Sequence, residues 1–229
     1  MYFSLITPEP GREISAAHEW MQGAYGEHQW LWKFFPASDG SPRDFLFRRS
    51  DLGDAPRFYV LSKRQPRGFS SAWSVRSREF APHFEIGDEL QFDLRANPVV
   101  TISSDGKPKR HDVVMQEKKQ LMQERGFARW DDWRGEDKPS LYALARETCG
   151  QWLIERGKRL GFAVDESSLS VDAYQQHRGK RETLRFSTVD FSGTLTVKDP
   201  VAFTGVLCNG IGHAKAFGCG LMLVRRKER

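Results

Sequence analysis

Apolar and polar positions alternate with a period of two at Trp73–Arg78 and Glu89–Leu94, which predicts half-buried strands. Weaker alternation in β-rich residues predicts a first strand over 2–7. Asp44–Arg49 and Arg57–Lys63, joined through Asp51-Leu52-Gly53-Asp54, predict a hairpin-like pair. Asn97-Pro98 bends the chain before a short strand at Val99–Ile102, and further strands are predicted at Ser168–Tyr174, Leu184–Val197 and the fully apolar 221–224.

A helical period appears elsewhere. A helix is predicted over about 13–34, with Ser15 as a possible cap. Gly23 and Gly26 each weaken its middle by about 1 kcal/mol relative to Ala. The better helix therefore starts near Tyr25, turns Leu31, Phe34 and Phe35 inward, and stops at Pro36. Helices are also predicted at Val113–Arg125, Ser140–Leu160 and Pro200–Cys208. In the second of these Leu141, Leu144, Ala145, Cys149, Trp152, Leu153 and Arg156 follow the 3.6-residue period, and Gly161 suits the stop. The polar, basic run 103–110 reads as a linker, giving domains 1–102 and 113–229 around residues 103–112. Each half is then a small α+β unit. The second fits a β-α-β-β-α-β order only loosely, because it opens on a helix.

Composition changes this picture in three ways. The 229 residues, 39% hydrophobic with 16 Phe and 7 Trp, are enough for a globular core without disulfide or metal. No apolar run approaches the ~20 residues of a membrane span, and the N-terminus lacks the features of a signal peptide. Three cysteines without CxxC spacing suggest a reducing cytoplasm and argue against zinc. The net charge is only +5, yet residues 43–78 carry nine basic side chains, among them Arg43 and Arg64, against three acids, or +6. Such concentration points to a phosphate-bearing partner.

Three constellations could carry chemistry. The first is the glycine-rich segment Gly210–Gly220, in which Gly210, Gly212, Gly218 and Gly220 bracket Lys215. It is neither a Walker A loop nor a dinucleotide fingerprint. It suits either backbone approach to a phosphate or a tight turn into the last strand. The second is Tyr25 and His28, three apart and so on one helix face. Histidine titrates near neutrality and suits proton transfer, but spacing does not separate His28 from His18. The third is a basic hairpin tip at 175–182 with Arg178, Lys180 and Arg181, which is either a wedge for a nucleic-acid groove or a soluble turn. Trp20, Trp30 and Trp32 read as core more readily than as stacking surfaces. No HExxH, EF-hand, Cys/His cluster or serine elbow is present, so no metal ligand set is visible.

Together these residues resemble the CasE family, the CRISPR repeat-processing endoribonuclease of the type I-E Cascade complex. The matching pieces, in order, are Met1-Tyr2-Phe3-Ser4, the run from Tyr25 through His28, Leu31 and Phe35-Pro36 to Arg43-Asp44-Phe45-Leu46-Phe47, Leu94-Arg95-Ala96-Asn97-Pro98, and Gly210–Gly220. The resemblance implies two tandem ferredoxin-like (RRM-like) domains. It implies cleavage on the 3′ side of the repeat stem-loop without metal or other cofactor. The 2′-hydroxyl would be the nucleophile, leaving a 2′,3′-cyclic phosphate and a 5′-hydroxyl. It places the catalytic His on His28 and the Tyr on Tyr25, and a basic hairpin at Arg178, Lys180 and Arg181. The expected partners are the repeat RNA, the mature guide RNA and other Cascade subunits, with no membrane. Two alternatives stand beside it: an RNA-binding subunit that does not cut, and an enzyme acting on a small anionic substrate.

Overall fold

A computed structural model of the chain describes residues 1–20, 23–38, 40–53, 55–104, 106–178 and 185–227. Two compact units divide it, Met1–His83 with Thr204–Leu221 and Phe84–Phe203 with Met222–Arg229.

The first unit contains β1 (Tyr2–Pro8), α1 (Glu13–Trp20), α2 (Gly23–Trp32), β2 (Phe45–Leu52), β3 (Ala55–Ser62) and β4 (Trp73–Glu79). Its sheet runs β2-β3-β1-β4 with every neighbour antiparallel. This is the ferredoxin-like order, with loop 63–72 where the second helix would stand. Alternation sends Ile6, Phe45, Phe47, Phe58, Val60 and Trp73 to one face, where they meet Trp30, Leu31, Phe34 and Phe35. The predicted 13–34 helix is thus two helices. Gly23 opens α2 and Gly26 lies within it, although both disfavour helix. Burying each large apolar side chain stabilises by roughly 1.5–3 kcal/mol, which outweighs about 1 kcal/mol per glycine. Trp30 is core, with ring centroids 4.4 Å from Trp73 and 4.8 Å from Phe58. Trp20 and Trp32 pack on the same cluster.

The second unit holds β5 (Glu89–Ala96), β6 (Val99–Ser104), β7 (Lys107–Asp112), α3 (Val113–Glu124), α4 (Leu141–Leu160), β8 (Phe162–Val164), β9 (Ser170–Arg178) and β10 (Arg185–Val197). The chain continues through α5 (Pro200–Asn209), which leads out of this unit, and returns to it as β11 (Met222–Arg226). The sheet order is β11-β5-β10-β8, with β9 also paired to β10. Read as β5, α4, β8 with β9, β10, α5 and β11, this is a full β-α-β-β-α-β unit. The strand absent from the start of residues 113–229 is β5, which the expected boundary at 102 assigns to the first half. The expected linker is instead the return strand of a β6–β7 hairpin. Local polarity marks a linker and a solvated ribbon alike. What distinguishes them is β5 pairing with β10 nearly a hundred residues later, Leu94 opposite Phe191 and Ala96 opposite Val189.

The Leu94–Pro98 motif pins this arrangement. Arg95 donates to both carboxylate oxygens of Asp190, at 2.8 and 2.6 Å. Asn97 Nδ2 donates to the buried Ser187 carbonyl at 2.8 Å. Asp112 caps α3 by accepting from the Met115 amide at 2.8 Å, and also accepts from the Tyr174 hydroxyl at 3.0 Å and from the Ser187 hydroxyl.

Candidate active site

α2 presents His28 half-buried between aromatic rings, edge-on to Trp32 with centroids 6.2 Å apart and 6.2 Å from Phe45. Burial lowers its pKa, and the Arg43 charge lowers it further. The neutral imidazole is therefore favoured near pH 7. Glu27, the preceding residue, accepts from Arg49 Nη1 at 3.0 Å, which ties α2 to β2. Tyr25 lies on α2 one turn before His28, and its side chain lies outside the described residues.

The glycine-rich segment belongs to the same unit, and its 3₁₀ turn Lys215–Phe217 packs on α2 and β2. Gly210 and Gly220 close it. Both have left-handed φ, +74° and +93°, and a Cβ on Gly220 would stand 2.7 Å from the Ile211 carbonyl oxygen. The Ile211 amide donates to the Gly220 carbonyl at 2.9 Å. Gly212 and Gly218 also have positive φ. Lys215 Nζ donates to the Asn209 carbonyl at 2.7 Å, capping the end of α5. Its pKa is lowered by burial and then by Arg43, while burial lowers that of Arg43 itself. Arg43 thus acts on both His28 and Lys215. The repulsion between the Arg43 and Lys215 charges favours an anion beside them.

The other expected contacts divide. Arg64 forms a fork on Asp44 at 2.6 and 3.1 Å and donates to the Pro36 carbonyl at 2.6 Å. The fork holds the Asp44 carboxyl below its usual range. Arg64 is therefore a clamp on the loop before β2, and its donors face the protein. Arg178 is exposed at the end of β9, opposite Arg185 of β10. Lys180 and Arg181 lie outside the described residues. His177 accompanies Arg178 at the hairpin base, 2.8 Å from the Thr188 hydroxyl and stacked on Phe186.

Sequence reasoning missed an open groove of about 540 Å³ along the end of α2, lined in part by Gln29, Trp32, Lys33, Ser38 and Ser41. Its signal was the spacing of Gln29, Trp32 and Lys33 on one side of a helix whose other side is core. Among the described residues no group of three or more His, Cys, Asp or Glu is placed to hold a metal ion. No helix among them is long and apolar enough to cross a membrane.

Residues 1–226 match the family described as CRISPR associated protein. The chain belongs to this family. This CRISPR-associated chain is 28% identical over 212 residues to the CRISPR system Cascade subunit CasE of Escherichia coli K12, covering 92% of this chain and 96% of that one. Its fold is similar to that of the CRISPR endoribonuclease Cse3 solved bound to a 19-nucleotide RNA. That match has a TM-score of 0.67, 22% identity and 98% coverage of both chains. It is similar also to Cas6e from E. coli K-12, with a TM-score of 0.60, 24% identity, and 99% and 100% coverage. The two tandem ferredoxin-like domains that the resemblance implies are the fold of this chain.

Proposed function

We propose that this chain is an endoribonuclease that cuts CRISPR precursor RNA at the 3′ side of the repeat stem-loop and keeps the mature guide RNA within a Cascade-type assembly in the cytoplasm. One observation carries the reading: burial holds the half-buried His28 imidazole neutral, and the Arg43 charge, which lowers its proton affinity further, also bears on Lys215. RNA supplies its own nucleophile, so the protein has to position it, move protons and stabilise charge. In the proposed reaction neutral His28 accepts the proton of the 2′-hydroxyl as that oxygen attacks the phosphorus. The bond to the 5′-oxygen breaks, leaving a 2′,3′-cyclic phosphate, and the leaving oxygen takes a proton to become a 5′-hydroxyl. No metal is required for these steps. A bound phosphate offsets the Arg43 charge and raises the proton affinity of the imidazole, so the same residue can return the proton. Tyr25 is proposed to hydrogen-bond the phosphate or orient the nucleophile.

Arg43 and Lys215 are the proposed phosphate ligands. Arg178, Lys180 and Arg181 are proposed to hold the phosphates flanking the narrow A-form major groove, which side chains do not read directly. The relatives support RNA as the substrate, since Cse3 has been solved with RNA and CasE is named a Cascade subunit. Cleavage of a repeat hairpin in EDTA, with mapping of the ends, tests the reading. Wild type is expected to leave a cyclic phosphate and a 5′-hydroxyl, and His28→Ala to cut slower by roughly 10²–10⁴-fold. Equal rates would remove His28 from the mechanism, and binding without product would make the chain a guide-RNA holder.

A further inference from the structure

We infer that the sheet face of the first unit turned away from α1 and α2 is a platform for single-stranded RNA. The inference takes from the proposed function only that the ligand is RNA. Strand alternation puts Phe3 of β1 and Tyr59 of β3 on this face, on the two central strands. Their rings are stacked, with centroids 6.1 Å apart and planes 22° from parallel. Phe80, just past β4, extends the aromatic surface at 5.9 Å from Phe3. Arg76 and Arg78 are exposed on the edge strand β4, opposite Leu5 and Phe3. The Arg78 guanidinium lies 5.7 Å from the Phe3 ring centre. Arg57, two residues before Tyr59, shares the face. No strand position on this face is Asp or Glu.

This accounts for much of the +6 in residues 43–78. Arg49 and Arg64 are neutralised by Glu27 with Asp51 and by Asp44. Arg57, Arg76 and Arg78 form no ion pair with a described residue, and all three gather on one face. The β2 side of the face is closed where Leu46 meets Gly210, so the open part is β3-β1-β4. Aromatic rings on central strands flanked by guanidinium groups suit bases that stack and phosphates that pair, without a stem. An A-form duplex keeps its bases stacked on one another and would leave the rings unused.

The test uses a fluorescein-labelled oligouridine of roughly 12 nucleotides, which has no stem and no cleavage site. Its affinity is read by anisotropy between about 50 and 200 mM salt. Wild type is expected to bind it. Arg76→Glu with Arg78→Glu should weaken binding at least ~10-fold and reduce the log–log salt slope by about 1.4 or more, at roughly 0.7 per single-strand phosphate. These positions are exposed, so the pair is expected to fold, which thermal melting checks. Tyr59→Leu should weaken binding by roughly tenfold with the slope unchanged. A 4-thiouridine version should crosslink to peptides containing Phe3 or Tyr59. Crosslinks confined to other strands, or variants that bind like wild type, overturn the inference. No binding by wild type also overturns it and leaves the face to an acidic protein partner. A chain that binds oligouridine here but leaves the repeat hairpin uncut refutes the proposed cleavage and keeps this platform. A chain that cuts the hairpin and ignores oligouridine does the reverse.

Discussion

Gly220→Ala separates two meanings of the glycine-rich segment, loop closure and close approach of RNA. Gly220 has φ +93°. A left-handed conformation costs a residue with a Cβ roughly 1–2 kcal/mol. The new methyl would stand 2.7 Å from the Ile211 carbonyl oxygen and 3.3 Å from its nitrogen. Both are backbone atoms, so no side chain can swing away. Relief requires the strands of the loop to part, which weakens the 2.9 Å bond from the Ile211 amide to the Gly220 carbonyl. A hydrogen bond of this kind contributes about 0.5–1.5 kcal/mol. The sum is about 1.5–3.5 kcal/mol. The same methyl lies 3.4 Å from Lys215 Cγ, so the ammonium shifts with the loop. Urea unfolding is expected to show a lower midpoint at unchanged slope, and hairpin affinity should fall in the same preparation. Stability within about 0.5 kcal/mol of wild type, combined with lost RNA binding, would refute the reasoning and make Gly220 a site of phosphate approach.

Other outcomes follow from single contacts. His28 has a depressed pKa, so the unfolded chain takes up a proton that the folded one refuses. Its stability contribution is intact above the unfolded value of about 6.5 and is lost as pH falls through the folded value. An NMR titration should place His28 below the ordinary range and Arg43→Gln should move it up, whereas a downward move would exclude the Arg43 field. Asn97→Ala leaves the buried Ser187 carbonyl without its 2.8 Å donor, so unfolding should show a loss of about 1–3 kcal/mol; an unchanged midpoint would deny the motif its structural role. Arg64→Ala should cost about 1 kcal/mol and leave the salt slope of hairpin binding unchanged. Arg178→Ala should lower that slope by about 0.7–0.9.

Much of the fold was legible because its signals are local. Ser140 and Gly161 bound α4 as their capping chemistry suggests, with Gly161 left-handed at φ +82°. Period-two alternation located β4 and β5. The short β8 was missed, since three residues show no period. The β7 ribbon has the polarity of a linker because its exposed Lys107, Lys109 and Arg110 have no buried face to alternate against. At the site, the sequence offered Tyr25 and His28 by helix spacing and Lys215 by its glycines. It carries no sign that the Arg43 charge bears on both His28 and Lys215, because that coupling joins residues nearly two hundred positions apart. Arg64 looked like one more phosphate ligand until Asp44 and Pro36 were found to hold it.

By itself the sequence determined the kind of chain this is: an α+β chain with excess basic charge in one segment, a titratable pair on a helix and a lysine between glycines. Those properties depend on neighbours within a few residues, where period, capping and charge act. The tertiary structure decided which half owns β5, which arginines are held by carboxylates, and that α2 persists despite its glycines. Each of these turns on strand pairing and burial between distant residues. Such contacts carry most of the stabilisation and leave no mark in any short window of sequence.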